Sequence, residues 1–347
     1  MKVDYIIVGL GLAGLAFCEQ LIKGNKTFVV FEDSSQNATL VAGGVYNPVI
    51  LKRFTPVWNA KEQLEFALPF YNSIAERLKT SLDYKFATRK VFKSIEDQNN
   101  WFIALDKQQT AEFMNPKIIV EEIDGVLGDF GFGEVHGTGR IDTHQLVKSY
   151  RGFLEKKKCI QFEKFEYDKI QFIEDSIRYK NIEAQRIVFC EGFGLKQNPF
   201  FNYLPLNEAK GETITIHAPN LKIDFHMKST LFVLPLGNDL YRVGATFDWS
   251  DKTSDPTKEG KKELVEKLKK TIDVPYIITN HNAGIRPTVK DRRPMVGLHS
   301  EHPELVVLNG LGTRGVMIAP TIAKQLFNHL EKDQKLDSET DIKRFHE

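Results

Sequence analysis

The stretch Gly9-Leu10-Gly11-Leu12-Ala13-Gly14 decides how this chain is read. It follows an apolar strand at 3–8 and opens a helix through about residue 23; a second strand at 27–31 then ends in Glu32. Strand, glycine turn, helix, strand and acid in that order form a complete dinucleotide-binding fingerprint. Gly9 permits the tight turn, Gly11 lets the backbone approach a pyrophosphate, and Gly14 allows close helix–strand packing. Leu12 and Ala13 lie in the first turn, and Glu32 can accept from ribose hydroxyls. A glycine-tolerant buried turn would explain the hexapeptide alone but not its flanking elements.

A second glycine turn, Asn309-Gly310-Leu311-Gly312-Thr313-Arg314-Gly315, follows an apolar strand at 304–308 near the other end of the chain. Its helix is expected to become regular near Pro320, a residue suited to a first helical position. Between the two turns, Gly43-Gly44-Val45 ends a small-residue segment that can bring N–H groups close to a ligand. Helical periodicity at 58–82 is interrupted by Pro69, which should kink or divide the helix. A helix with an Asp cap is expected from 142 to 156, and strands at 159–165 and 186–190 resume a parallel pattern. Antiparallel strands are expected at 211–217, 231–235 and 240–247, and a helix at 258–270.

These blocks give an α/β chain: a Rossmann-like domain of residues 1–55, 141–205 and 280–347, interrupted by an antiparallel-sheet substrate domain of 56–140 and 206–279. Lys and Arg number 47 against 46 Asp and Glu, so no global field advertises a nucleic-acid or membrane partner. Cys18, Cys159 and Cys190 show no metal-ligand spacing and read as core residues of a reduced, cytoplasmic protein. No metal site, targeting segment or membrane span is expected, and oligomeric state is not legible. The charge-rich tail at 331–347 is expected to be a solvated extension.

Farther along, Gly284-Ile285-Arg286-Pro287 is followed by Asp291-Arg292-Arg293-Pro294-Met295-Val296-Gly297 and then by the second glycine turn. With the N-terminal fingerprint, these motifs resemble the D-amino-acid oxidase family of FAD-dependent oxidoreductases over nearly the whole chain. Within it they are most similar to glycine oxidases and to the FAD domain of the bifunctional 5-methylaminomethyl-2-thiouridine tRNA-modification enzymes. The resemblance implies non-covalent FAD, since no cysteine lies in the C-terminal flavin region. It implies that Arg286 anchors a substrate carboxylate, for which a guanidinium fork is suited; a structural arginine bonded to loop carbonyls is the competing role. It places Gly43, Gly44, Val45, Gly310, Gly312, Thr313, Arg314 and Gly315 along the flavin, Phe165 at the adenine and Gly192 near the pyrophosphate. Tyr46 falls at the position of an active-site aromatic. Arg314 adds charge at the flavin or touches substrate, and Lys52 and Arg53 face either substrate or solvent.

The implied reaction oxidises a carbon–nitrogen bond: a neutral amine delivers hydride to flavin N5, and the imine is hydrolysed. Dioxygen is the expected acceptor, with a quinone or protein as the alternative. The expected substrate is a small carboxylated amine such as glycine, an N-alkylglycine or a D-amino acid. A glycine unit carried on a tRNA uridine is the second possibility, although binding tRNA calls for a basic surface, for which Lys52, Arg53 and Lys61 are candidates. A nicotinamide-dependent dehydrogenase would share only the first turn. A non-catalytic flavin-binding redox sensor would need no carboxylate anchor.

Overall fold

Residues 5–8 before the glycine fingerprint and all of Phe28–Phe31 are apolar and buried, as expected of strands covered on both faces. In the computed structural model, which describes residues 1–174 and 176–345, Lys2–Val8 runs parallel to Phe28–Phe31 on one side and to Ile182–Phe189 on the other. Ile160–Gln161 extends the sheet beyond Phe28–Phe31, and Leu305–Asn309 lies parallel to the far half of Ile182–Phe189. The near half of that long strand pairs antiparallel with Ser176–Tyr179, so the sheet forks along it.

Helices Leu12–Lys23 and Gly315–Lys332 pack together against one face of this sheet. The helix Ala60–Leu78 joins them as a single element with Pro69 inside it, not as two helices. Its residues Leu64, Ala67, Tyr71 and Ile74 recur at helical spacing and are buried in the same core. Residues 56–140 therefore do not all belong with the second sheet. The boundary expected at 280 also shifts, because Ile277–Val289 is one continuous strand paired with Leu206–His217 along its length.

That strand begins the second sheet, whose spatial order is Ile277–Val289, Leu206–His217, Leu240–Gly244, Phe232–Gly237, His226–Lys228, Thr88–Val91, Phe132–Val135. The pairings are antiparallel except between His226–Lys228 and Thr88–Val91. Alternation sorts the side chains. Ile214, Met227, Val233 and Val243 pack into a core with Leu264 and Leu268 of the helix Lys258–Leu268, whereas Thr213, Lys228 and Phe232 turn toward a cavity between the sheets.

Three hydrogen bonds tie the two parts together around that cavity. Arg242 Nη1 donates to the Ala42 carbonyl (2.7 Å), Asn37 Nδ2 to the Ala283 carbonyl (2.9 Å), and the Gly312 N–H to the Pro287 carbonyl (3.0 Å). The expected solvated tail instead docks: Ile342 is fully buried beside Met295 and Leu305, and Arg344 Nε donates to Asp291 Oδ2 at 3.0 Å. The end of the tail, 346–347, lies outside the described residues. Among the described residues no helix is long and apolar enough to cross a membrane.

A buried carboxylate joins three helices. Glu19 accepts from Arg77 Nη1 at 3.0 Å and from the Tyr150 hydroxyl at 2.6 Å. Its side chain is only 1% exposed, so removing the cation strands a charge in the core. Arg77→Ala is expected to lower stability by about 3 kcal/mol in chemical denaturation of the holoprotein; an unchanged midpoint would show that the ion pair is dispensable.

Candidate active site

A cavity of about 2150 Å³ runs from the glycine fingerprint to the face of the second sheet. Pockets for a single small ligand are typically about 300–1,000 Å³, so this volume accommodates a dinucleotide together with a second molecule. At one end the helix Leu12–Lys23 points its N-terminus into the cavity, with Gly11 at the cap, no side-chain cap and no acidic residue in the first turn. Unpaired N–H groups and the positive end of the helix dipole are what a pyrophosphate requires. The crossing is possible because a β-carbon on Gly14 would lie 2.0 Å from the Gly9 carbonyl oxygen.

Glu32 is buried at the end of its strand, where it accepts from the Leu10 N–H (2.6 Å), the Ser34 N–H (2.8 Å) and Arg151 Nη2 (2.9 Å). Beside it Arg151 Nε, which lines the cavity, is buried without a hydrogen-bond partner among the described residues, an open valence that a polar cofactor fits. Across the cavity, Glu191 precedes Gly192 and accepts from the Tyr167 hydroxyl (2.5 Å) and Asn198 Nδ2 (2.8 Å). Burial pushes its carboxyl up to about 7. Nothing in its local sequence marks it, because its partners come from separate loops. Phe165 lines the same end, its ring stacked on Tyr179 at 4.2 Å.

Gly43, Gly44 and Val45 line the middle of the cavity opposite Gly312, Thr313, Arg314 and Gly315. The second turn is secured by Asn309, whose Nδ2 donates to the Gly192 carbonyl at 2.9 Å and whose Oδ1 accepts from the Gly310 N–H at 2.7 Å. Its helix starts at Gly315 rather than near Pro320, the Met317 and Ile318 N–H groups both closing on the Arg314 carbonyl. The earlier start brings a second positive helix end to the cavity. Arg314 stands at this cap, pushed down to about 10 by burial and by Arg292, and still charged at neutral pH.

Arg286 lies on the cavity side of Ile277–Val289, directly across from Leu206–His217. Its guanidinium rests against Gly211, where a β-carbon would sit 1.9 Å from Nη2. Two long bonds orient it, from Nη1 to the Lys210 carbonyl and from Nη2 to the Thr246 carbonyl, both 3.3 Å. The Phe247 ring covers it at 4.2 Å. Burial pushes it down to about 10, and among the described residues no carboxylate pairs with it. A desolvated guanidinium facing a cavity with loose carbonyl contacts is poised for an external anion. Gly211 was not singled out by the sequence, since its contact with Arg286 crosses between strands remote along the chain.

Other expected positions fall elsewhere. Tyr46 does not line the cavity: in the short strand Val45–Tyr46 alternation points Val45 inward, and the Tyr46 hydroxyl donates to Asp83 Oδ1 at 2.7 Å on the opposite side. Gly14 and Gly310 are also outside the lining and serve the packing and turning of the backbone. Lys52 lines the cavity but Arg53 does not, and Lys61 pairs with Glu112 at 2.6 Å on the exterior. The three cysteines are free, and burial pushes each thiol up. Among the described residues no cluster of side chains could hold a metal.

A Rossmann-type half, a second glycine turn returning to the same cavity and a cationic wall on an inserted sheet define a two-part dinucleotide-dependent oxidoreductase. Residues 4–328 match the FAD dependent oxidoreductase family, and the chain belongs to it. FAD is its cofactor, and the enzyme is an FAD-dependent amine oxidoreductase of the amino-acid oxidase type. The chain is 23% identical to the glycine oxidase of Bacillus subtilis, over 92% of this chain and 91% of that protein. It is 20% identical to the tRNA 5-methylaminomethyl-2-thiouridine biosynthesis bifunctional protein of Marinobacter nauticus over 94% of this chain, but spans only 55% of that longer protein. The fold superposes on glycine oxidase from Geobacillus kaustophilus with a TM-score of 0.80 at 17% identity, covering 96% of each chain.

Gly11→Val is expected to yield folded, colourless protein, because the larger side chain blocks close approach to the helix N-terminus. Retention of stoichiometric flavin absorbance in that variant would place the cofactor elsewhere. Gly211→Ala is expected to keep its flavin while weakening turnover roughly tenfold or more, by displacing the Arg286 guanidinium. Unaltered steady-state kinetics would mean that the guanidinium relocates without consequence.

Proposed function

We propose that this enzyme oxidises the carbon–nitrogen bond of an amine that carries a carboxylate, with Arg286 as the carboxylate anchor. The supporting observation is the buried, carboxylate-free Arg286 guanidinium against Gly211, facing the cavity that the cofactor shares. A redox sensor or scaffold would have no use for a desolvated cation there, since burying an unpaired charge is costly. FAD, held non-covalently along the two glycine turns, supplies two-electron acceptance when bound.

The protein's own contribution is positioning. Arg286 fixes one end of the substrate by a paired, charge-assisted contact, and Phe247 keeps water from one face of the guanidinium. The cavity residues nearest in sequence and register, Gly211, Thr213, Ala245, Gly284 and Pro287, bring no acid or base to the anchor. The amine accordingly enters in its neutral form, and orientation rather than proton abstraction by a side chain lowers the barrier. Arg314 and the N-terminus of Gly315–Lys332 add positive charge to the cavity lining, where they stabilise negative charge that develops during electron transfer. Dioxygen is the proposed acceptor.

Arg286→Ala is expected to leave flavin content unchanged and to lower kcat/KM for a carboxylated amine roughly 100-fold or more, with Arg286→Lys recovering part of the loss. Normal turnover by Arg286→Ala would move the anchor to another residue.

A further inference from the structure

We propose that the end of the cavity remote from the glycine fingerprint is a phosphate subsite, built by Lys228, Lys90 and Lys93 with Lys267 beside them, which holds a phosphate carried by the amine substrate. The inference rests on the reading of the cavity as an amine-oxidising site and specifies the substrate class.

Strand register creates the cluster. Lys228 pairs with Lys90 across the parallel strands His226–Lys228 and Thr88–Val91, so the two side chains leave the same face of the sheet side by side. Lys93 follows just beyond the end of Thr88–Val91, and the helix Lys258–Leu268 contributes Glu263 and Lys267. All four lysines line the cavity, together with Asp97 and Glu263. Asp97 lies 3.6 Å from Lys90 Nζ, and Glu263 is bonded to Lys267. Among the described residues Lys228 and Lys93 have no ion pair, so four ammonium groups against two carboxylates leave a local excess of +2.

A solvated lysine face does not account for Lys90, which is only 7% exposed, or for the half-buried Lys228, whereas Lys93 and Lys267 reach solvent. Burial, with Lys90, Lys267 and Lys93 nearby, pushes Lys228 down to about 8. The neighbouring His226 is buried as well, its Nδ1 3.2 Å from Thr88 Oγ1, while Nε2 has no hydrogen-bond partner and the residue faces the cavity. Crowded, partly dehydrated cations are complementary to an anion, as is His226 in the tautomer whose Nδ1 accepts from Thr88 Oγ1 and whose Nε2 carries the proton, and the excess of two charges matches a phosphate monoester or two successive phosphodiesters better than one carboxylate.

The spacing separates this site from the anchor. The register Lys228, Phe232, Gly244, Thr213, Asn282 crosses four strand intervals, about 19 Å, and Arg286 lies four residues farther along its strand, about 13 Å. No simple α-amino acid reaches both ends. The substrate that would use them is an elongated molecule, with the carboxylated amine at Arg286 and a phosphate at Lys228, either a small phosphorylated compound or a nucleic-acid strand bearing the amine.

Calorimetric titration of the FAD-loaded protein tests the subsite without requiring turnover. The probes are glycerol 2-phosphate, a short single-stranded RNA and benzoate. Saturable, salt-sensitive binding of the phosphate ester or the RNA is expected, and which of the two binds more tightly identifies the source of the phosphate. The double variant Lys228→Met with Lys93→Gln should weaken that binding roughly tenfold or more while keeping flavin content and Tm, and Lys228→Arg should retain it. Arg286→Ala should bind the phosphate probes normally, so loss of the anchor reading and loss of this one are told apart. Benzoate binding that the double variant weakens as much as it weakens the phosphate probes, the absence of phosphate binding, or undiminished phosphate binding by the double variant would each overturn the proposal.

Discussion

The close crossing of Gly14 over the Gly9 carbonyl is the constraint on which the rest depends. A β-carbon there would lie 2.0 Å from the oxygen, so only glycine lets the first helix begin at the end of the first strand and face outward into the cavity. The second turn repeats the arrangement from the other side, where Asn309 binds the Gly192 carbonyl and the helix Gly315–Lys332 starts at the cavity wall. Two positive helix ends thus converge on one space, and both belong to helices packed in a single apolar core. The geometry of the cofactor site is set by packing well away from it.

The second sheet completes the site by carrying charge to it. Its outer face is an ordinary hydrophobic core, whereas its inner face presents Arg286 at one edge and the lysine group toward the other. Hydrogen bonds accepted by the Ala42, Ala283 and Pro287 carbonyls fix that face relative to the glycine turns. Specificity in this architecture is therefore a property of strand register. A one-residue slip of Ile277–Val289, Leu206–His217 or His226–Lys228 would turn that strand's own cavity residue, Arg286, Thr213 or Lys228, to the other face.

The parts legible from sequence were those encoded locally. The N-terminal fingerprint and the Asp142 cap that accepts from the Gln145 N–H each reside in a few consecutive residues. Family membership followed from motif spacing, and the Gly284–Pro287 motif drew attention to Arg286, which lines the cavity. What escaped was tertiary: Gly211 beneath Arg286, Glu191 among loop partners, and lysines 90, 93, 228 and 267, which meet only after folding. Tyr46 was misplaced because two residues of a strand face opposite ways and the motif alone does not say which faces inward. The tail was misread because its charged composition conceals Ile342, an apolar side chain that the core takes up fully.

The central claim is that a carboxylate held by Arg286 positions an amine for oxidation by the flavin. Anaerobic mixing of the yellow holoenzyme with matched pairs of amines, each N-alkylglycine beside the same amine lacking its carboxylate, tests it most directly. The account predicts flavin bleaching by the carboxylated member at least roughly 100-fold faster than by its partner; equal bleaching by both members would contradict it.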